Sequence, residues 1–268
     1  TTTPTATTTT STTTSETAPA SDRLFGVEVE FVGIMPDVAI AAVAAAGARI
    51  DGQFNYTHQD STTNWKIVPD SSVSHQRGSG ELVSPILSGV AGLEEVRKVV
   101  TALSRAGATV NRSCGLHVHV NARDFSVAER LAVARRYAQF ESTIDMLMPP
   151  SRRGNGNVYC QSVINYAGYT NLGHFPRHLK VNLTAFERHG SIEFRQHGGT
   201  VDPTKINNWI RFCVNFMEQT RDRAVYLVPA GSLDNTRRDS RESYDPRTRA
   251  QRRNAGRVFP VGATMLRR

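Results

Sequence analysis

Cysteine, aromatic residues and long apolar runs are all scarce in this chain, and each shortage closes off a class of protein. Its 268 residues hold three cysteines, Cys114, Cys160 and Cys213, far apart and without a CxxC pair. Such a set excludes a disulfide scaffold, a zinc ribbon and a c-type haem site, and a cytoplasmic or otherwise intracellular, reducing home is expected. The most apolar stretch, residues 38–48, is short and rich in alanine, well under the roughly 18 residues of a membrane helix. No membrane partner is expected. The charged-then-apolar pattern of a secretory signal is also missing near Thr1. What remains, 39% hydrophobic and 21% charged, sits near the globular average and suits one large domain or two small ones.

The two ends differ from the middle. Twelve of the first twenty residues are Thr and only Glu16 is charged, which leaves no apolar periodicity to offset the entropy of ordering. Residues 1–21 are therefore expected to be disordered. Residues 232–268 hold ten Arg against four acidic residues, a net of +6 out of the +8 of the whole chain. The high pI thus describes mainly an Arg-rich extension, residues 231–268. Nucleic acid is a partner only through that extension, which more often is a solvated tail. Residues 22–230 are left as the folded domain.

Within that domain, period-two alternation predicts strands at residues 24–32, 64–68, 81–87, 115–121, 179–185 and 191–197. The helical period predicts helices at 36–46, 93–106, 126–148 and 203–227. Ser126 with Glu129 forms a capping box pattern, and Asp202-Pro203 supplies an N-cap and a first-turn proline. Strands outnumber helices and follow one another directly. The expected fold class is α+β, a mainly antiparallel sheet with helices on one face.

Three of these strands carry polar residues at i and i+2: Glu28/Glu30, His117/His119 and Glu193/Arg195. Each pair shares one face of its strand, and the opposite face is apolar each time: Val27, Val29, Phe31; Leu116, Val118, Val120; Ile192, Phe194. One pair alone is weak evidence, since ExE usually marks a solvated face and HxH a structural histidine. Together they gather carboxylates, imidazoles and a guanidinium on one sheet. Three carboxylates with two imidazoles suit Mg²⁺ or Mn²⁺ before Zn²⁺, with room for two or more ions.

The segments FGVEVEF (25–31), GELVSPIL (80–87), CGLHVHVN (114–121) and SIEFRQHGGT (191–200), followed by KINNWIRFCVNF, resemble the amidoligase family of carboxylate–amine ligases. The resemblance spans about residues 24–228. It implies a glutamine synthetase-like catalytic fold and an ATP-dependent ligase that forms an amide through an acyl phosphate at a Mg²⁺ or Mn²⁺ site. Glu28, Glu30, Glu81, His117, His119 and Glu193 match the family's metal positions. Arg195, with Glu193 and His119, matches its catalytic positions, and Arg195 and His117 match contacts to the phosphates.

Lys180 and Asn182 alternate with Leu179, Val181 and Leu183, so both are expected on the cleft wall beside Arg195, against nucleotide or substrate. Asp70 either borders the site or closes an Asx turn with Ser71 and Ser72. The polar loop 151–176 lies where a substrate lid could sit, with Arg152 and Arg153 either meeting an anion or forming a solvated pair. Two rival functions remain open: a Cys114 nucleophile with His117 or His119 as base, and a nucleic-acid-binding protein with a degenerate cleft. The identity of the carboxylate and amine, and the oligomeric state, are not encoded in these patterns.

Overall fold

The alternating segments pair into one sheet. The computed structural model describes residues 21–52, 54, 63–73 and 77–221. Residues 1–20 and 222–268, with the Thr-rich start and the Arg-rich end, lie outside the described residues. The strands are β1 (Phe25–Val32), β2 (Lys66–Val68), β3 (Ser79–Val83), β4 (Gly115–Asn121), β5 (Val181–Asn182) and β6 (Ser191–Gly198). They form a six-stranded sheet in the order β2-β3-β1-β4-β6-β5, antiparallel at every step. Among the described residues, five α-helices accompany the sheet, α1 (Pro36–Ala45), α2 (Gly89–Arg105), α3 (Val127–Leu147), α4 (Ala185–His189) and α5 (Pro203–Arg221), with three short 3-10 turns between α3 and β5. The fold is α+β.

The apolar sides of the central strands make the core. Val27, Val29, Phe31, Leu82, Leu116, Val118, Val120, Ile192 and Phe194 are all buried in one cluster. Helix α5 lies against β1 and β4 and carries α2 and α3 on its flanks, burying Ile206, Ile210, Cys213 and Met217. Each such side chain removed from water stabilises the fold by about 1.5–3 kcal/mol, which fixes which face of β1, β4 and β6 must point inward. The opposite face is left to the polar pairs.

Two local departures from regular pairing matter for that face. Val118 pairs with Phe194 but Leu116 pairs with His197, so β6 carries one extra residue there, a bulge. It lets Arg195 lie on the polar side while His197 packs on Trp209 of α5, ring centroids 5.3 Å apart. The expected strand 179–185 also shrinks to two residues. Lys180 sits in a bend, and Asn182 Oδ1 accepts from both Thr184 N (2.9 Å) and Thr184 Oγ1 (2.7 Å), ending the strand and leading into α4. Helix α3 begins on the expected capping box of Ser126 and Glu129. Helix α2 starts earlier than its apolar periodicity, at Gly89.

Candidate active site

Register places the polar residues in one row across the sheet. Glu81 of β3 is opposite Glu30 of β1, Glu28 is opposite His117 of β4, His119 is opposite Glu193 of β6, and Glu193 is opposite Asn182 of β5. Neighbouring strands lie about 4.8 Å apart, so cross-strand side chains on one face must touch.

His117 is at the centre. Its Nδ1 lies 3.1 Å from Glu28 Oε2, 3.6 Å from Glu193 Oε1 and 4.0 Å from Glu81 Oε1, and its Nε2 is 3.6 Å from Glu30 Oε1. His119 Nε2 is 3.4 Å from Glu28 Oε1, and its Nδ1 is 3.0 Å from Ser191 Oγ. Glu30 Oε2 accepts the Gly115 amide at 2.5 Å. Arg195 donates to Glu193 Oε1 through Nη1 and to the Tyr159 carbonyl through Nε, while Asn182 Nδ2 donates to Glu193 Oε2 at 2.7 Å. Glu30, His117, Asn182, Glu193 and Arg195 are buried, and Glu28, Glu81 and His119 are half-buried.

These groups share charge unevenly. Burial pushes the Glu28 carboxyl up, but His119 and His117 outweigh it and hold Glu28 well below the usual range. Burial opposes ionisation of Glu193 too, and His119, Arg195 and His117 overcome it. Glu81 goes the other way: burial, then the charges of Glu28, Glu30, Asp70 and Glu193, raise it well above the ordinary carboxylate value. Burial raises Glu30 as well, against the pull of His117 and the Gly115 amide. Burial lowers His119, but Glu28 and Glu193 reverse this and lift it to about 9. Burial and like charge thus push two of the four carboxyls toward their neutral forms, an effect that a bound cation would reverse.

That crowding of carboxyls and the donor chemistry both fit divalent cations. Glu28, His117 and Glu193 present ligand atoms within 4.8 Å of one another, and so do Glu30, Glu81 and His117. Carboxylate-rich sets with one imidazole suit Mg²⁺ or Mn²⁺. The two groups meet at His117.

All of these residues fall inside a sequence match. Residues 21–167 and 165–217 match the family described as "Putative amidoligase enzyme". The chain belongs to the amidoligase family. No curated protein gives a significant match. An amidoligase is an amide-bond-forming ligase, and the row of carboxylates and imidazoles lies within the matched span.

Other candidates land in different places around this amidoligase cleft. Asp70 Oδ1 accepts Ser72 N at 2.7 Å, the Asx turn, and its charge reaches Glu30 and Glu81. Lys180 departs from its expected position. Because the chain bends there, its Nζ turns to Glu141 Oε1 (2.8 Å) and Asp145 Oδ1 (2.6 Å) of α3 and is wholly buried. Arg152 is buried rather than solvated, and Arg153 Nε donates to the Met148 carbonyl at 2.7 Å. The Cys114 thiol meets Asn111, with burial raising it. The imidazoles of His117 and His119 go to carboxylates and Ser191 instead.

Four neighbours of the cleft escape the sequence patterns. Ser191, two residues before Glu193 on the same face of β6, was open to the period-two test. Glu141 and Asp145, four apart on α3, read as ordinary helix-surface acids. The Gly115 amide has no side-chain signal at all.

Proposed function

We propose that this chain uses ATP and Mg²⁺ or Mn²⁺ to join a carboxylate to an amine through an acyl phosphate, on a glutamine synthetase-like catalytic fold. One observation carries the proposal: four carboxylates, two imidazoles and one guanidinium converge on a single face of the sheet in two cation-competent groups that meet at His117. Glu28 and Glu193 would hold one ion and Glu30 and Glu81 another, the single free nitrogen of the His117 ring serving one of the two, with His119 as a further ligand. A bound divalent ion supplies neutralisation of the phosphate oxygens that an anionic nucleophile has to approach.

The chain's own groups do the rest. Arg195, oriented by its bonds to Glu193 and the Tyr159 carbonyl, offers planar donors to phosphate oxygens. Asn182 steadies Glu193 from the other edge, and Ser191 fixes the ring of His119. Lys180, committed to Glu141 and Asp145, is left out of the nucleotide contacts. The acidic cleft disfavours a nucleic-acid backbone, and the Cys114 thiol hydrogen-bonds Asn111 rather than an imidazole.

Phosphate release from ATP, measured with Mg²⁺ or Mn²⁺ and a pool of amines and acidic peptides, tests the proposal. Wild type should release phosphate faster when a particular acid and amine are both present, and Glu28→Gln should lower the rate on the order of 100-fold or more with the melting transition preserved. Undiminished turnover in Glu28→Gln would sink the metal assignment. Absence of nucleotide turnover in wild type with every pool would sink the ligase itself.

A further inference from the structure

The loop that follows α3 delivers a second guanidinium to the cleft. Arg152 is 3% exposed. Its Nη2 donates to the carbonyls of Ser113 (3.0 Å) and Cys114 (2.6 Å), while its Nε is buried without a hydrogen-bond partner among the described residues. A buried, unsatisfied donor on a charged group is costly, about 1–3 kcal/mol or more, and calls for an explanation.

Gly115 marks where the two terminal nitrogens of the Arg152 fork lie. A β-carbon there would lie 2.9 Å from His117 Nε2, 3.1 Å from Arg152 Nη2 and 3.3 Å from Arg152 Nη1. The bare Cα lets the imidazole and the guanidinium close in on the chain, next to the amide that holds Glu30. The positive charge of Arg152 also reaches Glu30, and its guanidinium hydrogen-bonds the Cys160 thiol. Arg195 stands at the other end of the row, on Glu193.

The segment is also braced. Gln196 Nε2 donates to the Arg152 carbonyl (3.3 Å) and to Asp145 Oδ1 (2.5 Å), and Gly154 N donates to Asp145 Oδ2 (2.8 Å). Glu141 Oε2 accepts Val163 N at 2.8 Å, with Lys180 neutralising both acids. This part of the loop is a bracket around a fixed guanidinium, the preorganisation that anion binding needs.

We propose that Arg152 is a second oxyanion-binding residue of the cleft, taking a phosphate or carboxylate oxygen beside Gly115 at the Glu30 end while Arg195 serves the Glu193 end. The proposal deepens the ligase reading and rests on it for the anion's being a substrate's.

The test is calorimetric titration of the full chain with inorganic phosphate in the presence of Mn²⁺, with thermal melts alongside. Arg152→Gln should weaken phosphate binding at least tenfold, and Arg152→Lys, which keeps charge but loses the fork, should fall between. Gly115→Ala, whose β-carbon would press on both the guanidinium and the His117 ring while keeping the charge, should also weaken it, and the melts show which variants are folded. Affinities within about threefold of wild type in folded variants, or a wild type that binds no phosphate, would overturn the proposal. In the turnover assay, a raised KM for ATP in Arg152→Lys identifies the anion as the nucleotide's phosphate, and a raised demand for the acidic peptide identifies it as the substrate's carboxylate. Arg152-dependent phosphate binding without any ATP turnover would leave this inference standing and remove the ligase. Turnover with phosphate affinity untouched by all three variants would do the reverse.

Discussion

Glu81 shows how crowded carboxyls weigh on the fold that brings them together. It faces Glu30 across the β1–β3 pair, and burial and like charges raise its carboxyl well above the ordinary value. The unfolded side chain loses its proton near pH 4. Between that pH and the folded value the native state holds the extra proton, so stability falls as pH rises through this window. Glu81→Gln should therefore stabilise the metal-free protein, by more at pH 8 than at pH 5, in urea titrations with EDTA. A variant that is destabilised, or whose gain does not grow with pH, would contradict the charge arrangement. At this scale the sequence was informative wherever the backbone alternates. Glu28, Glu30, His117, His119, Glu193 and Arg195 all lie on the face that period two assigns them. Arg152 was visible as a candidate, but a single chain cannot show whether a loop arginine is solvated or buried.

Lys180 is a matter of elements rather than residues. Alternation through 179–185 assumes a continuous strand, and the bend at Lys180 with the Asn182 turn breaks it, rotating the ammonium toward α3. The same break turns the segment's end into helix α4, closed by Gly190 in the left-handed region (φ 67°). Neither the bend nor the β6 bulge has a local composition signal, because both are set by how β5, β6 and α3 pack. Lys180→Met should cost about 3–5 kcal/mol in urea unfolding, since it strands Glu141 and Asp145 as uncompensated charges under the loop that carries Arg152. A loss below about 1 kcal/mol together with a raised KM for ATP would put the ammonium back in the cleft. The long helices were legible for the opposite reason: α3 and α5 carry their start signals locally, in the capping box of Ser126 and Glu129 and in Asp202-Pro203.

At the scale of the molecule, the start of β1 is pinned to the far end of the domain by charge. Arg23 bonds Asp124 (2.8 Å) after β4 and Glu218 (2.7 Å) of α5, and its hydrogen bonds lower both carboxyls. For depressed carboxyls the stabilisation is present above their unfolded values near pH 4 and is lost as pH falls through the folded ones. Arg23→Met should cost about 1 kcal/mol at pH 7, the carboxylates being partly solvated, and almost nothing near pH 2. An equal cost at both pH values would mean that Arg23 acts by packing on Phe125, 5.0 Å from its ring centre, rather than by charge.

The proposed cation site would tie the whole sheet together in the same way, because its candidate ligands come from β1, β3, β4 and β6. A ligand that binds only the folded state adds about 2.7 kcal/mol at a hundredfold excess over its Kd, and about 1 kcal/mol moves a domain of this size by 2–4 °C. Saturating Mn²⁺ should raise the melting temperature of wild type by about 5–10 °C. His117→Asn is the informative variant, since the two candidate ion groups share only that residue. Because the ring can serve one of the two ions, His117→Asn should keep a smaller Mn²⁺ shift, as should Glu193→Gln and Glu81→Gln, each touching one group. A full shift in His117→Asn would mean that the carboxylates hold the ions without the imidazole, and that the centre of the site lies between Glu28, Glu30 and Glu81 rather than on β4.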